Sequence, residues 1–411
     1  MTTMYAGADW ADGWVDCAVV RRDGTPLGHQ RIVYADSTDP VEEYLDFLRG
    51  LNRTRWRTIP TAIEDPHILF GQALMDRGMS VIHVAATLAA RARKAATVGG
   101  ATKSDRADAY LLADMIRTGS FAPIVLSSPA ARAIRILAQA QRAATHDRVR
   151  ALHRLRALLV SYYPAAVTAW PRMGLRHPQA RAVLAVAPSP RIAAQLTRGQ
   201  IAQALRAGGR WRTVDEEAHR LRLHFRRPAL STHQDVEAAH AVEMLRQLSA
   251  LDHICWQAED LARQAAEAFA RHPHYKIITS FPGVGDLLGS QILGEIGDAP
   301  GRFKDAKALS AYAGVSPVTW ASGTTARVSI RRAANHALRA ALYQAAFCAL
   351  TRSPGAAHYY RQRRDRGATH HTTLRNLGAR LARSLHHCLR HELLWDEQTA
   401  FPAGVPPANN R

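Results

Sequence analysis

The sequence predicts an α/β domain at the N-terminus, then a long helical coiled-coil region, then a mostly α-helical C-terminal domain. Three observations carry this. The first 35 residues alternate β-prone runs with Asp-Gly turns. Two later stretches repeat apolar residues near heptad spacing, and the C-terminal region is helical around a basic, turn-rich segment. At 411 residues the chain has room for two or three domains, and 47% hydrophobic residues suit packed cores rather than disorder. The expected boundaries are 1–125, 126–273 and 274–400, with a flexible tail at 401–411.

Tyr5 to Asp9, Trp14 to Arg21 and Pro26 to Val33, separated by Asp12-Gly13 and Asp23-Gly24, read as a three-stranded meander. A helix from Pro40 to Leu51, an apolar strand Ile59 to Glu64, a helix from Leu69 to Arg77 and a strand Ser80 to Val84 add βαβ units. Ser104 suits the N-cap of a helix from Asp105 to Thr118, which Gly119 stops. Ala122 to Pro129 reads as a linker.

Ala130 to Tyr163 predicts one long basic helix, with Gln141 and Arg148 interrupting its apolar stripe. Met244, Leu248, Leu251, Cys255, Ala258, Ala262, Ala265 and Phe269 step by four and three without a break, so a second long helix can pair with the first or across a dimer. Between them, residues 171–232 are helix-prone and arginine-rich, broken by Pro188 and Pro190. Helices are expected again from Asn335 to Leu350 and from Thr372 to Trp395.

Lysine and arginine number 54 against 34 acidic residues, a net charge of +20, which points to a polyanionic partner. No apolar run approaches the roughly 18–20 residues of a spanning helix and no signal peptide opens the chain, so a soluble cytoplasmic protein without membrane contact is expected. Cys17, Cys255, Cys348 and Cys388 lie far apart, which suggests neither a disulfide framework nor a zinc ribbon.

Against that basic background four carboxylates stand out. Asp9 and Glu64 end strands, where open α/β sheets gather their sites, and Asp105 and Asp108 are three apart on one helix face. A pair of magnesium ions about 4 Å apart needs several such oxygens to stabilise a phosphodiester displacement. Taken singly, each has an ordinary reading: a turn cap, a surface residue, or acids complementing a helix start.

Near the C-terminus, Pro282-Gly283-Val284-Gly285 before the apolar run Leu287 to Ile296 has the form of a helix-hairpin-helix turn, whose N–H groups can hold a phosphate. A plain tight turn has the same form. Leu309 to Pro317, then Ser322-Gly323, the basic stretch Arg327 to Arg332, and a small-residue helix from Asn335 containing Arg339 follow in order.

In the order of these blocks the chain resembles the DEDD transposases of bacterial insertion sequences. Lys103-Ser104-Asp105-Arg106-Ala107-Asp108-Ala109 matches the family's helix-opening motif, after an early Asp and a strand-ending Glu. The Gly-x-Gly turn, the Ala-Tyr-x-Gly-x-x-Pro segment, the Ser-Gly and the Asn-x-x-Leu-Arg helix match its second domain. One departure is Asp65-Pro66-His67, where the family often has Ala-Thr-Gly.

The resemblance implies a ribonuclease-H/RuvC-like N-terminal fold, with Asp9, Glu64, Asp105 and Asp108 as catalytic ligands of Mg2+, or of Mn2+ in its place. It implies that Ser322 is the nucleophile on DNA, giving a covalent protein–DNA intermediate in a composite site. Lys103, Gly283, Gly285, Arg327, Arg331, Arg332 and Arg339 are the expected nucleic-acid contacts. Family members also bind a structured noncoding guide RNA that pairs with donor and target DNA, and assemble as homodimers that pair into tetramers. Arg91, Arg93 and Lys94, with Arg132, Arg135, Arg142, Arg148, Arg150, Arg154 and Arg156 on the long helix, are compatible with RNA contact. The reading is a transposase or recombinase acting in the bacterial cytoplasm at the nucleoid. The alternatives are a metal-dependent, Holliday-junction-resolvase-like nuclease in which water attacks, and a non-catalytic nucleic-acid-binding protein.

Overall fold

A computed structural model describes residues 4–65, 68–98, 104–170, 174–228, 230, 232–322 and 325–402. The chain divides into two compact units, Met1–Leu126 with Ala299–Arg302, and Ser127–Asp298 with Phe303–Arg411.

In the first unit, β1 (Met4–Trp10), β2 (Trp14–Arg21) and β3 (Pro26–Val33) form the meander. There follow α1 (Pro40–Leu51), β4 (Thr61–Ile63), α2 (Leu69–Asp76), β5 (Val81–His83), α3 (Ala86–Val98) and α4 (Asp105–Thr118). Asp39 starts α1 by accepting from the N–H groups of Val41 and Glu42, with Pro40 at the first helical position. Sheet order is β3-β2-β1-β4-β5, antiparallel among the first three strands and parallel from β1 through β4 to β5. Alternating strand residues send Ala6, Ala8 and Ile63 into a core with Tyr44, Leu48, Phe70 and Leu74. Ala62 and Ile82 pack instead with Ala89, Leu112 and Ile116. Helices therefore cover both faces of a mixed sheet, an arrangement compatible with the RuvC-like fold. The expected linker is partly used by this sheet, because Pro123 bridges to Ile82 on β5.

The second unit opens with α5 (Pro129–Tyr162), capped by Ser128. Five shorter helices follow: α6 (Pro164–Thr168), α7 (Pro178–Val186), α8 (Pro190–Gln195), α9 (Arg198–Ala207) and α10 (Val214–Phe225). Prolines stand at the first positions of three of them, which explains the broken pattern of that stretch. Then come α11 (Gln234–Ala270), α12 (Tyr275–Thr279), α13 (Asp286–Ile296) and α14 (Ala306–Tyr312). A hairpin of β6 (Pro317–Ser322) and β7 (Thr325–Ile330) precedes α15 (His336–Ala349), α16 (Pro354–Asp365), α17 (His370–His391) and α18 (Glu397–Ala400).

Met244, Leu248, Leu251 and Cys255 of α11 are buried in one core with Ala151, Leu155 and Leu159 of α5 and with residues of α6 to α10. The four-three stripe is thus satisfied inside the chain by short helices folding back on the two long ones. It lends no support to pairing across a dimer, and the coiled coil expected from the spacing is one side of a helical core. Gln141 breaks the α5 stripe for a local reason: its amide is buried, accepting from Gln291 on α13 at 3.0 Å and donating to Thr145 at 3.0 Å. Ile134 and Phe269, from the two long helices, also join the core of the C-terminal helices. Those helices therefore share a unit with the arm. Phe401, placed by its prolines at the start of a flexible tail, is buried against Tyr359 and Trp395, and residues 403–411 lie outside the described residues. Among the described residues no helix is long and apolar enough to cross a membrane.

Candidate active site

The carboxylate cluster is built by the end of β1, the end of β4 and the start of α4. Gly7 makes the approach possible: a Cβ there would lie 2.0 Å from the carbonyl oxygen of Ala109 and 2.7 Å from the Ala113 nitrogen. With hydrogen in its place α4 lies directly on β1, and Asp9, two residues further along the strand, shares that face. Parallel pairing of Ala8 with Ile63 puts Asp9 and Glu64 at adjoining strand ends. Ser104 caps α4, its hydroxyl accepting from the Ala107 N–H at 3.1 Å, and sets Asp105 and Asp108 in the first turn.

Asp9 feels the other three acids. The Asp9 carboxyl is pushed up to about 7, first by burial and then by the charges of Asp108, Glu64 and Asp105; Arg93 on α3 opposes the rise. Arg93 joins two of the acids. Its Nη2 lies 2.6 Å from Glu64 Oε1 and its Nε donates to Asp108 Oδ1 at 2.8 Å. Asp105 sits apart from that bridge, accepting from Trp14 Nε1 at 3.3 Å and from Arg31 Nη2 at 3.2 Å.

Arg31 belongs to a row that the strand register creates. Asp9 on β1 pairs with Asp16 on β2, and Asp16 with Arg31 on β3. Asp16 is fully buried and is held by Arg31 at 2.6 Å and by His29 Nε2 at 2.6 Å, while the guanidinium of Arg31 stacks on Trp14. Sequence reading missed Trp14, Asp16, His29 and Arg31, and took Arg93 only as compatible with RNA contact. The signal that could have found Asp16 is its charge inside the otherwise apolar run Val15 to Val20, opposite Asp9 once the Asp12-Gly13 turn sets the register.

The serine segment lies in the second unit. Ser322 takes the last paired position of β6, opposite Thr325. The side chains of Ser322 and Arg327, and Lys103 as a whole, lie outside the described residues. The base of the hairpin is firmly tied. Asn335 caps α15 by accepting from the Leu338 N–H, and its Nδ2 donates to Glu295 Oε2 at 2.7 Å and to the Tyr312 hydroxyl at 2.9 Å. Glu295 is buried and also accepts from Arg142 Nη1 at 3.0 Å.

Arg339 donates from Nη2 to the Arg331 carbonyl at 2.5 Å. Arg339, an expected nucleic-acid contact, and Arg142, compatible with RNA contact, both hydrogen-bond within this base. Arg332 is exposed and Arg331 half-buried. Gly283 has φ +79°, and a Cβ on it would lie 2.5 Å from Cβ of Cys348, so its glycine serves the turn and its packing. Gly285 has open space around it, but α13 begins with Asp286, an acid that disfavours a phosphate at that end. Elsewhere in this unit, Arg148, His153, Arg156, Trp170 and Arg176 help line a cleft of about 580 Å³ beside α5.

Comparison with known proteins adds the family. Residues 6–164 match the model of the DEDD transposases of the IS110 type, and residues 275–361 match that of the transposase IS116/IS110/IS902 family. The chain is 40% identical over 406 residues to the "Mini-circle putative transposase for IS117" of Streptomyces coelicolor, covering 97% of each. It is 27% identical over 406 residues to the insertion element IS116 44.8 kDa protein of Streptomyces clavuligerus, covering 95% of this chain and 96% of that one. Over 158 residues it is 32% identical to the insertion element IS110 43.6 kDa protein of Streptomyces coelicolor, 38% of each chain. With both segments matched and one relative aligned along nearly its whole length, the chain belongs to the IS110/IS116/IS902 family of insertion-sequence transposases.

Proposed function

We propose that this transposase cuts and exchanges DNA strands through a phosphoserine ester at Ser322, aided by a divalent cation on Asp9, Glu64, Asp105 and Asp108. The observation that carries the reading is the gathering of acids from three elements around Asp9, whose carboxyl is raised by burial and then by the charges of the other three. Their fit to Mg2+ or Mn2+ lies in the donor set, hard oxygens only, and in the excess negative charge that raises Asp9. Among the described residues no three ligands converge on one point, and Arg93 stands between two of them. When bound, the cation supplies charge neutralisation at the phosphate and a lowered pKa for a coordinated oxygen.

The residues of the chain do the rest. The Ser322 hydroxyl gives up its proton as its Oγ bonds to phosphorus, and the bond from phosphorus to a deoxyribose oxygen breaks. The leaving oxygen takes a proton and becomes a free hydroxyl. Attack of a hydroxyl from a second strand on the phosphoserine ester then restores the serine and joins the strands, so no external energy source is required. Arg327, Arg331 and Arg332 are positioned in sequence to neutralise the phosphate.

Specificity in this reading comes from a structured noncoding guide RNA. The net charge of +20 supports a nucleic-acid partner of this kind. Handling donor and target together calls for more than one copy, so a homodimer pairing into a tetramer on DNA, in the bacterial nucleoid, completes the proposal. Light scattering with RNA and DNA present that gave only monomer would remove that part.

The decisive experiment incubates the full-length protein with Mg2+, RNA transcribed from the noncoding flank of its element, and labelled donor and target duplexes. A denaturation-resistant protein–DNA adduct in wild type, absent from Ser322→Ala, is expected. Equal cleavage by both proteins without an adduct would favour attack by water. RNA binding without any cleavage would favour a binding protein alone.

A further inference from the structure

We propose that Arg93 is a built-in counter-cation of the carboxylate cluster, standing between Glu64 and Asp108 where a divalent cation binds when the site is loaded. The inference rests on the metal-dependent reading above and deepens it. Two N–H groups of one planar guanidinium reach oxygens supplied by different elements, Glu64 after β4 at 2.6 Å and Asp108 on α4 at 2.8 Å. These are charge-assisted contacts in a sheltered place: the side chain of Asp108 is 10% exposed, and those of Glu64 and Arg93 are 27% and 28% exposed.

A carboxylate cluster of this density needs positive charge to persist in a folded chain. Arg93 supplies one charge beside Glu64 and Asp108, and Arg31 a second beside Asp105, against the four acids. The bridge also accounts for the lack of a convergent ligand set among the described residues. Oxygens held 2.6 to 2.8 Å from separate guanidinium nitrogens are not drawn to within about 2.1 Å of a common centre, as Mg2+ requires. Loading therefore competes with Arg93 for Glu64 and Asp108, and the guanidinium must turn away as the cation enters. The arrangement keeps the metal-free unit folded and makes cation affinity weaker than the acids alone would give.

The test is Mn2+ binding by the full-length protein without DNA, followed by electron paramagnetic resonance of the free ion, together with the melting temperature with and without Mn2+. Arg93→Gln should bind Mn2+ on the order of tenfold more tightly than wild type, because a repelling charge has left the site. Its metal-free form should melt lower and recover on Mn2+ addition. Adding Asp108→Asn should abolish the gain. Arg93→Lys, whose single nitrogen cannot span both acids, should lie between, and it covers the case in which the glutamine variant fails to fold. Folded Arg93 variants that bind Mn2+ no more tightly than wild type would overturn the proposal, leaving Arg93 a structural partner. If wild type and Arg93 variants alike showed no Asp108-dependent Mn2+ binding, the metal-site reading itself would fall and the counter-cation role with it.

Discussion

The two regions on which the proposed function rests are held together by different physics. The carboxylate cluster is assembled from residues far apart in sequence, on two strand ends and one helix, and its like charges oppose one another at Asp9. The Ser322 hairpin is local, its strands pairing from Pro317 with Ile330 to Ser322 with Thr325, and its base rests on a polar network of Glu295, Asn335, Tyr312 and Arg142. A like-charged cluster needs a close scaffold and counter-charges, here Gly7 and Arg93. A hairpin needs only its register and an anchored base. The first region should therefore be sensitive to charge and metal, the second to packing beneath it.

The sharpest break in that comparison is chemical. Asp108→Asn and Ser322→Ala should each lower strand exchange by roughly 10³-fold or more. Only the serine variant should lose every covalent adduct while keeping Asp108-dependent Mn2+ binding. A gel assay beside metal titration separates the two, and loss of metal binding in the serine variant would contradict the division. Next in size is Gly7→Ala. Its Cβ would meet backbone atoms of α4, so a loss of about 3 kcal/mol is expected in denaturant unfolding, together with loss of cleavage. An unchanged midpoint would show that α4 does not press on β1.

Glu295→Ala should cost about 2 kcal/mol, because it leaves the Asn335 amide and the Arg142 guanidinium without their shared acceptor. The effect should appear as lower stability and reduced adduct yield, with Mn2+ affinity unmoved. A drop in Mn2+ affinity would mean that the two regions are coupled.

A separate effect concerns pH. Folded Asp9 titrates at about 7, against roughly 3.9 for an aspartate in an unfolded chain. Between those values the folded state holds a proton that the unfolded state has released. Stability of the metal-free protein should therefore fall as pH rises from about 4 to about 7, then level off. Asp9→Asn should flatten that part of the melting-temperature profile; a slope kept in the variant would assign it to another group.

Much of the catalytic frame was legible because it is written in short-range chemistry. The Asp-Gly turns of the meander, the Ser104 cap and the placement of Asp105 and Asp108 in one helical turn follow from local rules, and all are present in the fold. The role of Arg93 was not legible. An arginine among Arg91 and Lys94 on a helix looks like any cationic surface, and only the packing of α3 beside α4 gives it two carboxylates. The partners of Arg142 and Arg339 were hidden for the same reason, since Glu295 and the Arg331 carbonyl reach them only through the packing of separate elements.

The sequence by itself determined the order of the elements, the excess of positive charge and the catalytic candidates, because these depend on residue identity and near neighbours. Tertiary structure decided three things that depend on distant partners. The stripe on α11 is covered by this chain's own helices, Asp16 and Arg31 complete a row with Asp9 across three strands, and the carboxylates are bridged by a guanidinium. Burial and long-range pairing set those outcomes, and local periodicity does not specify which apolar face or which counter-charge a residue will meet.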